Sequence, residues 1–174
     1  MSKISRKKFA KIAITLIIAF AIWMVLDRVT KIYFDSGQFS LAQNITGSIL
    51  GLFHFTLVHN TGAAFGIFGN ATVVLGVISI VVSIVLLATP FINAKMKNDK
   101  KTEFLFSTFQ LILIAIIAAG GIGNAIDRLA TGYVVDFICF DFIDFPVFNI
   151  ADIGVTCGII IIATILLYHS FSKR

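Results

Sequence analysis

The residues of this chain that could do chemistry are carboxylates. Asp136 lies between Val135 and Phe137 in an apolar stretch, where burial would raise the pKa of its side chain. A second carboxylate close by would raise one pKa of the pair further, because two like charges cannot both ionise. Pairs that share one proton are the working part of aspartic peptidases. Spacing alone leaves five candidates for such a pair, which are Asp127, Asp136, Asp141, Asp144 and Asp152.

Polar residues end the third long apolar run of the chain, at residues 120–128 (GGIGNAIDR). In a helix, Gly120, Asn124, Asp127 and Arg128 would share one face. Asn124 and Arg128 could then hold the backbone of a substrate. Asp127 has a simpler explanation as an ion-pair partner of Arg128 that caps the end of the run, and we assign it this supporting role.

The fourth apolar run begins at residues 148–152 (FNIAD), just after a proline breaks the preceding structure. Asn149 is a good N-cap residue, and Asp152 would follow in the first turn, where the helix dipole favours negative charge. Alternatively, both side chains point into the interior next to Asp136. The sequence leaves these two interpretations open.

A third polar motif covers residues 60–66 (NTGAAFG), where small residues such as Gly62 allow close approach of a backbone. Asn60 could bind a substrate chain there, although an ordinary turn would also explain the motif. Asp27 and Lys31 have the i, i+4 spacing of a supporting ion pair at a helix end. His54, His59, Asp141 and Asp144 are interpreted as interfacial polar groups or loop charges.

Other chemistries find no support in the motifs. No HExxH sequence, Ser/His/Asp set or Cys/His set is recognisable, so we expect neither a metal nor a cofactor. The net charge of +5 does not indicate nucleic-acid binding, since the basic residues flank apolar runs instead of forming one patch.

The composition requires a membrane. Of the 174 residues, 58% are hydrophobic and only 13% are charged, whereas a soluble domain has about 25% charged residues. We predict a membrane all-α fold, a bundle of four transmembrane helices at about 9–27, 71–92, 104–126 and 150–170. Residues 1–174 are expected to form a single domain with a small extracytoplasmic β-cradle and a loop over the active site.

The basic residues predict the orientation. Eleven of the 14 Lys and Arg residues lie at the two termini or between the second and third runs, so both termini and that loop are expected in the cytoplasm. Segments 28–70 and 127–149 would then be extracytoplasmic. Most aspartates fall on that side, which places the chemistry at the outer edge of the bilayer.

The chain resembles lipoprotein signal peptidase, also called signal peptidase II, a family of bacterial membrane aspartyl peptidases. The resemblance extends over almost the whole chain. It is carried, in order, by residues 27–31 (DRVTK), 60–65 (NTGAAF), 120–128 (GGIGNAIDR), 134–137 (VVDF) and 148–152 (FNIAD). Arg28 stands where the family commonly has Gln, and Asp141 and Asp144 are additional acids.

The resemblance implies roles for these residues. Asp136 and Asp152 would be the catalytic pair, and Asn60, Asn124, Arg128 and Asn149 would bind substrate. Asp27, Lys31, Gly62, Gly120 and Asp127 would support them. The family cleaves prolipoproteins just before a Cys that carries diacylglycerol, needs no cofactor and is the target of the cyclic peptide globomycin. We expect a monomer in the bacterial cytoplasmic (inner) membrane.

Two other classes of function compete with this interpretation. A small ion-coupled transporter would use buried acids as a relay, but transporters place them near the bilayer midplane and usually contain repeats. A structural membrane scaffold would leave Asn124, Arg128, Asp136, Asn149 and Asp152 without a purpose.

Overall fold

A computed structural model describes residues 6–62, 71–96 and 106–172 of the chain. The remainder of the motif that begins at Asn60, residues 63–66, lies outside the described residues, as do 97–105 and both chain ends. Four helices and two strands are present: α1 (Arg6–Phe34), β1 (Phe53–Asn60), α2 (Thr72–Met96), α3 (Thr108–Ala130), β2 (Val134–Phe140) and α4 (Ile150–Ser172).

Each of the four helices is long and apolar enough to cross a membrane, which confirms the predicted bundle. Helix α3 is its centre. Of its most apolar 18-residue stretch, 67% is buried, against 11–17% in the other three helices. The other helices therefore expose most of their apolar surface, as helices in contact with lipid do.

Small residues let the other helices approach α3 closely. A Cβ added at Gly120 would lie 2.5 Å from the carbonyl oxygen of Ala151 in α4. One added at Gly121 would lie 2.5 Å from Ser83 Oγ in α2, and one at Gly123 would lie 2.5 Å from Asp27 Oδ2 in α1. The backbone of α3 is thus in contact with all three neighbouring helices.

The two strands form a two-stranded antiparallel sheet at one end of the bundle, which we call the sheet end. Asn60 pairs with Val134 and Val58 with Asp136, while an irregularity between Phe55 and Val58 shifts the register. The sheet rests on the end of α1 through Phe34, whose ring stacks on Phe137 at 4.2 Å between centroids. This packing brings Asn60 and Asp136 over the ends of α3 and α4.

The ends of the helices differ from the predicted spans. Helix α1 continues past residue 27 to Phe34, because its charged residues there are buried and paired instead of facing water. Helix α3 begins at Thr108, where Ser107 and Gln110 form a reciprocal capping box. Helices α2 and α4 extend to Met96 and Ser172, slightly beyond the predicted limits.

Candidate active site

Asp136 lies in β2, and its side chain is 2% exposed. Each carboxylate oxygen accepts a hydrogen bond from an amide: Oδ1 from Asn149 Nδ2 at 2.7 Å, and Oδ2 from Asn60 Nδ2 at 2.9 Å. The strand fixes the backbone of Asp136, and the two amides fix the direction of its carboxyl group.

Burial, and after it the negative charge of Asp152, raise the pKa of Asp136 to about 7. The hydrogen bonds from Asn60 and Asn149 oppose the shift, since they favour the ionised form. Asp136 therefore holds a proton over much of the range in which an ordinary aspartate has lost it. This is the property that the sequence predicted for the residue.

Asp152 lies in the first turn of α4 and forms a capping box with Asn149. Asp152 N donates to Asn149 Oδ1 at 3.0 Å, and Asn149 N donates to Asp152 Oδ2 at 3.1 Å. The other carboxylate oxygen, Oδ1, accepts from Asn124 Nδ2 at 2.7 Å. The two interpretations left open by the sequence are thus both correct, since the capping residues also face the interior beside Asp136.

Asn149 connects the two carboxylates. Its Oδ1 serves the cap, while its Nδ2 reaches Asp136, Asn124 Oδ1 at 3.1 Å and Val135 O at 3.2 Å. Because its side chain is completely buried, Asn149 has no surface left for a substrate. In this structure the contacts of Asn149 are with Asp136, Asp152, Asn124 and Val135, and the substrate contact stays a prediction.

Asn60 is oriented by the turn that follows β1. Gly62 N donates to Asn60 Oδ1 at 3.0 Å, which leaves the amino group of Asn60 directed at Asp136. Gly62 O accepts from Arg128 Nη2 at 3.3 Å, so Arg128 joins the end of α3 to this turn. The turn that the sequence offered as an alternative explanation is thus present, and it orients the side chain of Asn60 toward Asp136.

The sequence suggested an ion pair between Asp127 and Arg128, but Asp127 pairs with other residues. Its carboxylate lies 2.7 Å from Arg28 Nη1 and 2.8 Å from Lys31 Nζ, both on α1. The predicted pair of Asp27 and Lys31 is present at 3.1 Å, but it is buried instead of lying at an exposed helix end. Arg28 and Asp127 are 99 residues apart, and such a distant pair leaves no local signal in the sequence. The role of Arg28 as the partner of Asp127 was therefore not predicted.

A cavity of about 320 Å³ joins most of these groups. Both carboxylates line it together with Asn60, Asn124 and Arg128. The rest of its wall is mainly apolar. Part of it lies in segment 127–149, where the sequence predicted a loop over the active site without naming these residues: Val134, Phe140, Phe145, Pro146, Val147, Phe148, Ile153, Thr156 and Cys157. The aromatic residues clustered around Pro146 were the available signal.

The two histidines of β1, His54 and His59, each pair with an acid outside the cavity. His54 Nδ1 lies 2.6 Å from Asp141, which also accepts from Ser48 and whose pKa is lowered by these hydrogen bonds. His59 Nε2 lies 2.7 Å from Asp35 at the end of α1. Asp144 lines a second, more open cavity of about 620 Å³ that also reaches Asp136.

The arrangement can perform general acid and base catalysis. Two carboxylates with different surroundings line one cavity: Asp136 is almost fully buried in β2, and Asp152 lies in the first turn of α4. One can therefore carry the proton while the other accepts one from a water molecule.

Known proteins share this sequence and architecture. Residues 18–168 match the model of the family described as signal peptidase (SPase) II. The lipoprotein signal peptidase of Microcystis aeruginosa is 40% identical over 139 residues, which cover 80% of this chain and 83% of that protein. The lipoprotein signal peptidase of Nostoc punctiforme is 38% identical over 156 residues, which cover 90% of this chain and 89% of that protein.

Solved structures agree with these relatives. A bacterial membrane enzyme determined by the in meso method at 2.3 Å resolution superposes with a TM-score of 0.71 at 30% identity, covering 92% of each chain. A second such enzyme, at 1.9 Å resolution, gives a TM-score of 0.69 at 32% identity, covering 88% of this chain and 92% of the other. This chain therefore belongs to the signal peptidase II family, the membrane peptidases that remove signal peptides from prolipoproteins during lipoprotein maturation.

Proposed function

We propose that the chain is a peptidase of the aspartic type and that Asp136 and Asp152 are its catalytic pair. One observation carries the proposal: both carboxylates line the same cavity and hydrogen-bond to the same residue, Asn149. The pKa of Asp136, raised to about 7 by burial and by Asp152, supports one shared proton at neutral pH.

In the proposed reaction, ionised Asp152 takes a proton from water while the water oxygen attacks the scissile carbonyl carbon. Protonated Asp136 donates its proton to the carbonyl oxygen, which yields a neutral tetrahedral intermediate. The intermediate collapses when Asp152 returns its proton to the leaving nitrogen, the carbon–nitrogen bond breaks, and one hydroxyl group of the intermediate gives its proton back to Asp136. The products are the carboxyl end of the signal peptide and the free amino group of the mature lipoprotein.

The substrate is a prolipoprotein whose diacylglyceryl-modified Cys follows the scissile bond. Arg128 on the cavity wall is suited to hold the carbonyl groups of its backbone, because among the described residues only its Nη2 donates a hydrogen bond, to Gly62 O. Asn60 and Asn124 also line the cavity, and within the described part of the chain each amino group donates to one carboxylate, which leaves it a second N–H. The apolar wall between Phe140 and Cys157 suits the lipid and signal-peptide portions of the substrate.

We place the site at the extracytoplasmic side of the inner membrane of a bacterium, in a monomer. The positive residues around the opposite helix ends support this orientation. A substrate anchored by its lipid and by an apolar signal helix would then arrive sideways through the bilayer, and water would reach the carboxylates from the sheet end. Globomycin is the expected inhibitor.

A mobility-shift assay with a diacylglyceryl-modified prolipoprotein, with and without globomycin, tests the proposal. Asp136→Asn and Asp152→Asn should leave the protein folded, as judged by its melting temperature, and abolish cleavage. Asp141→Asn is the matched control, because Asp141 lies in the same region but away from the cavity. Substantial turnover by either of the first two variants would refute the assignment.

A further inference from the structure

Behind the carboxylates, four charged residues form a closed ion-pair ring between α1 and α3. Asp27 pairs with Arg28 through Oδ2 at 2.7 Å and with Lys31 through Oδ1 at 3.1 Å. Asp127 pairs with Arg28 through Oδ1 and with Lys31 through Oδ2. All four carboxylate oxygens are thus engaged, and the two positive charges balance the two negative ones.

The ring holds Lys31 in one position. The side chain of Lys31 is 2% exposed, and those of Asp27 and Asp127 are 0% and 7% exposed. Its ammonium group lies within ion-pair distance of one oxygen of each ring carboxylate, and it donates a hydrogen bond to Asn124 Oδ1 at 2.7 Å. Among the described residues, Asn124 is therefore the hydrogen-bond partner of Lys31 outside the ring.

Lys31 determines which way the amide of Asn124 points. Asn124 Oδ1 faces the ammonium group, and Asn124 Nδ2 faces the carboxylate of Asp152. If the amide turned over, its amino group would meet the ammonium and its oxygen would meet the carboxylate, and both contacts would be repulsive. The charge on each side therefore selects the orientation in which Asn124 donates to Asp152.

A purely stabilising role explains the ring poorly. A buried ion pair gains little over apolar residues of the same volume, because the cost of removing its charges from water offsets their attraction. Apolar side chains could join α1 to α3 equally well, as they do elsewhere in the bundle. What apolar side chains could not do is fix the amide next to Asp152.

We propose that Lys31 is a positioning residue of the peptidase: it fixes the Asn124 amide and, through it, the carboxylate of Asp152. The Asp27–Arg28–Asp127 part of the ring fixes Lys31 in turn. The inference rests on the proposed function, since it assigns Asp152 to the catalytic pair. Lys31 itself touches neither the cavity nor the substrate.

Two double variants separate positioning from stability. Lys31→Met/Asp127→Asn and Arg28→Met/Asp127→Asn each remove one base and one acid from the ring, so both keep its net charge at zero. Only the first removes the contact with Asn124. Each variant is assayed with a diacylated lipobox peptide in lipid, well below its own melting temperature, and kcat and KM are determined separately.

The Lys31 variant should lose on the order of 100-fold in kcat with little change in KM, because a misplaced catalytic group affects the transition state more than binding. The Arg28 variant should lose less than about tenfold in kcat, since Lys31 still reaches Asn124 there. Equal losses of kcat in the two variants would overturn the inference. So would failure of the Lys31 variant to fold under conditions in which the Arg28 variant folds, since Lys31 would then be structural.

The proposed function and this inference fail in different ways. Activity in Asp136→Asn or Asp152→Asn would refute the catalytic pair itself. If both of those variants are inactive while the two double variants have equal kcat, only the positioning role of Lys31 is wrong.

Discussion

At the scale of single residues, the site depends on amides that bond to more than one partner. Asn149 caps α4 with its oxygen and orients Asp136 with its amino group. Asn124 accepts from Lys31 and donates to Asp152. Because every such amide is oriented by partners on both sides, the two carboxylates are held in place before a substrate arrives.

The raised pKa of Asp136 predicts a pH dependence of activity. The proposed catalytic pair would work with one proton, and above about pH 7 Asp136 loses it. The rate should therefore fall as the pH rises through this value, with an apparent pKa that belongs to the pair. Rates measured between pH 5 and about 9 with a diacylated peptide would show this decline.

The same shift has a consequence for stability, with the opposite sign to that of an ordinary paired aspartate. Since the folded protein holds this proton more tightly than the unfolded chain does, protonated Asp136 contributes to the stability of the fold. This contribution is complete below the ordinary pKa of 3.8 and is lost as the pH rises to about 7.

For activity, a cleavage rate that stays constant up to about pH 9 would contradict the raised pKa of Asp136.

At the scale of helices and strands, hydropathy predicted the number of spans, because long apolar runs are a local property of the sequence. The predicted span ends at residue 27, because Asp27, Arg28 and Lys31 resemble the charged end of a span, whereas helix α1 continues to Phe34. Their charges are instead neutralised by Asp127 on another helix. A sequence shows charges but not their distant partners, so neither the ring nor the true end at Phe34 could be deduced.

The residues of the site could be predicted from the sequence, but their geometry could not. The resemblance to a family selected Asp136 and Asp152 from five candidates, and the structure places both on one cavity. The pairing of β1 with β2 sets the distance from Asn60 to Asp136, and it joins segments about 75 residues apart, for which the sequence offers no register. The aromatic wall, in contrast, had a local signal in the aromatic residues around Pro146.

Close packing of α3 on α4 gives a prediction for Gly120. In Gly120→Ala, the new Cβ would lie 2.5 Å from Ala151 O and 2.9 Å from Val155 Cγ2, so the helices must move apart. The change should cost about 1–3 kcal/mol of stability. It should also lower kcat, because Ala151 precedes Asp152 in the chain.

The melting temperature and the rate of cleavage in lipid would test the effect of Gly120→Ala. Gly47→Ala is the control, since a Cβ at Gly47 meets no atom within 4 Å and its backbone is not left-handed. A Gly120→Ala enzyme as stable and as fast as Gly47→Ala would show that the two helices can separate without loss.

At the scale of the whole molecule, the position of the site relative to the membrane determines which substrates can reach it. The carboxylates lie where α3 and α4 meet the sheet, so the site is at one end of the bundle and not at its middle. This placement distinguishes a peptidase from an ion relay, which would carry its acids near the midplane. It also makes orientation in the membrane a necessary part of the function.

Cysteine labelling of intact cells tests that orientation. In a protein with Cys139→Ser and Cys157→Ser, a membrane-impermeant maleimide should label Ser36→Cys, which is exposed in the turn after α1 at the sheet end. Ser172→Cys, at the opposite end of α4, should react only after the cells are opened, because we expect the positive residues to keep that end in the cytoplasm. The reverse pattern would place the carboxylates on the cytoplasmic side, away from translocated prolipoproteins, and would contradict the proposed function even if the isolated protein cleaved its substrate.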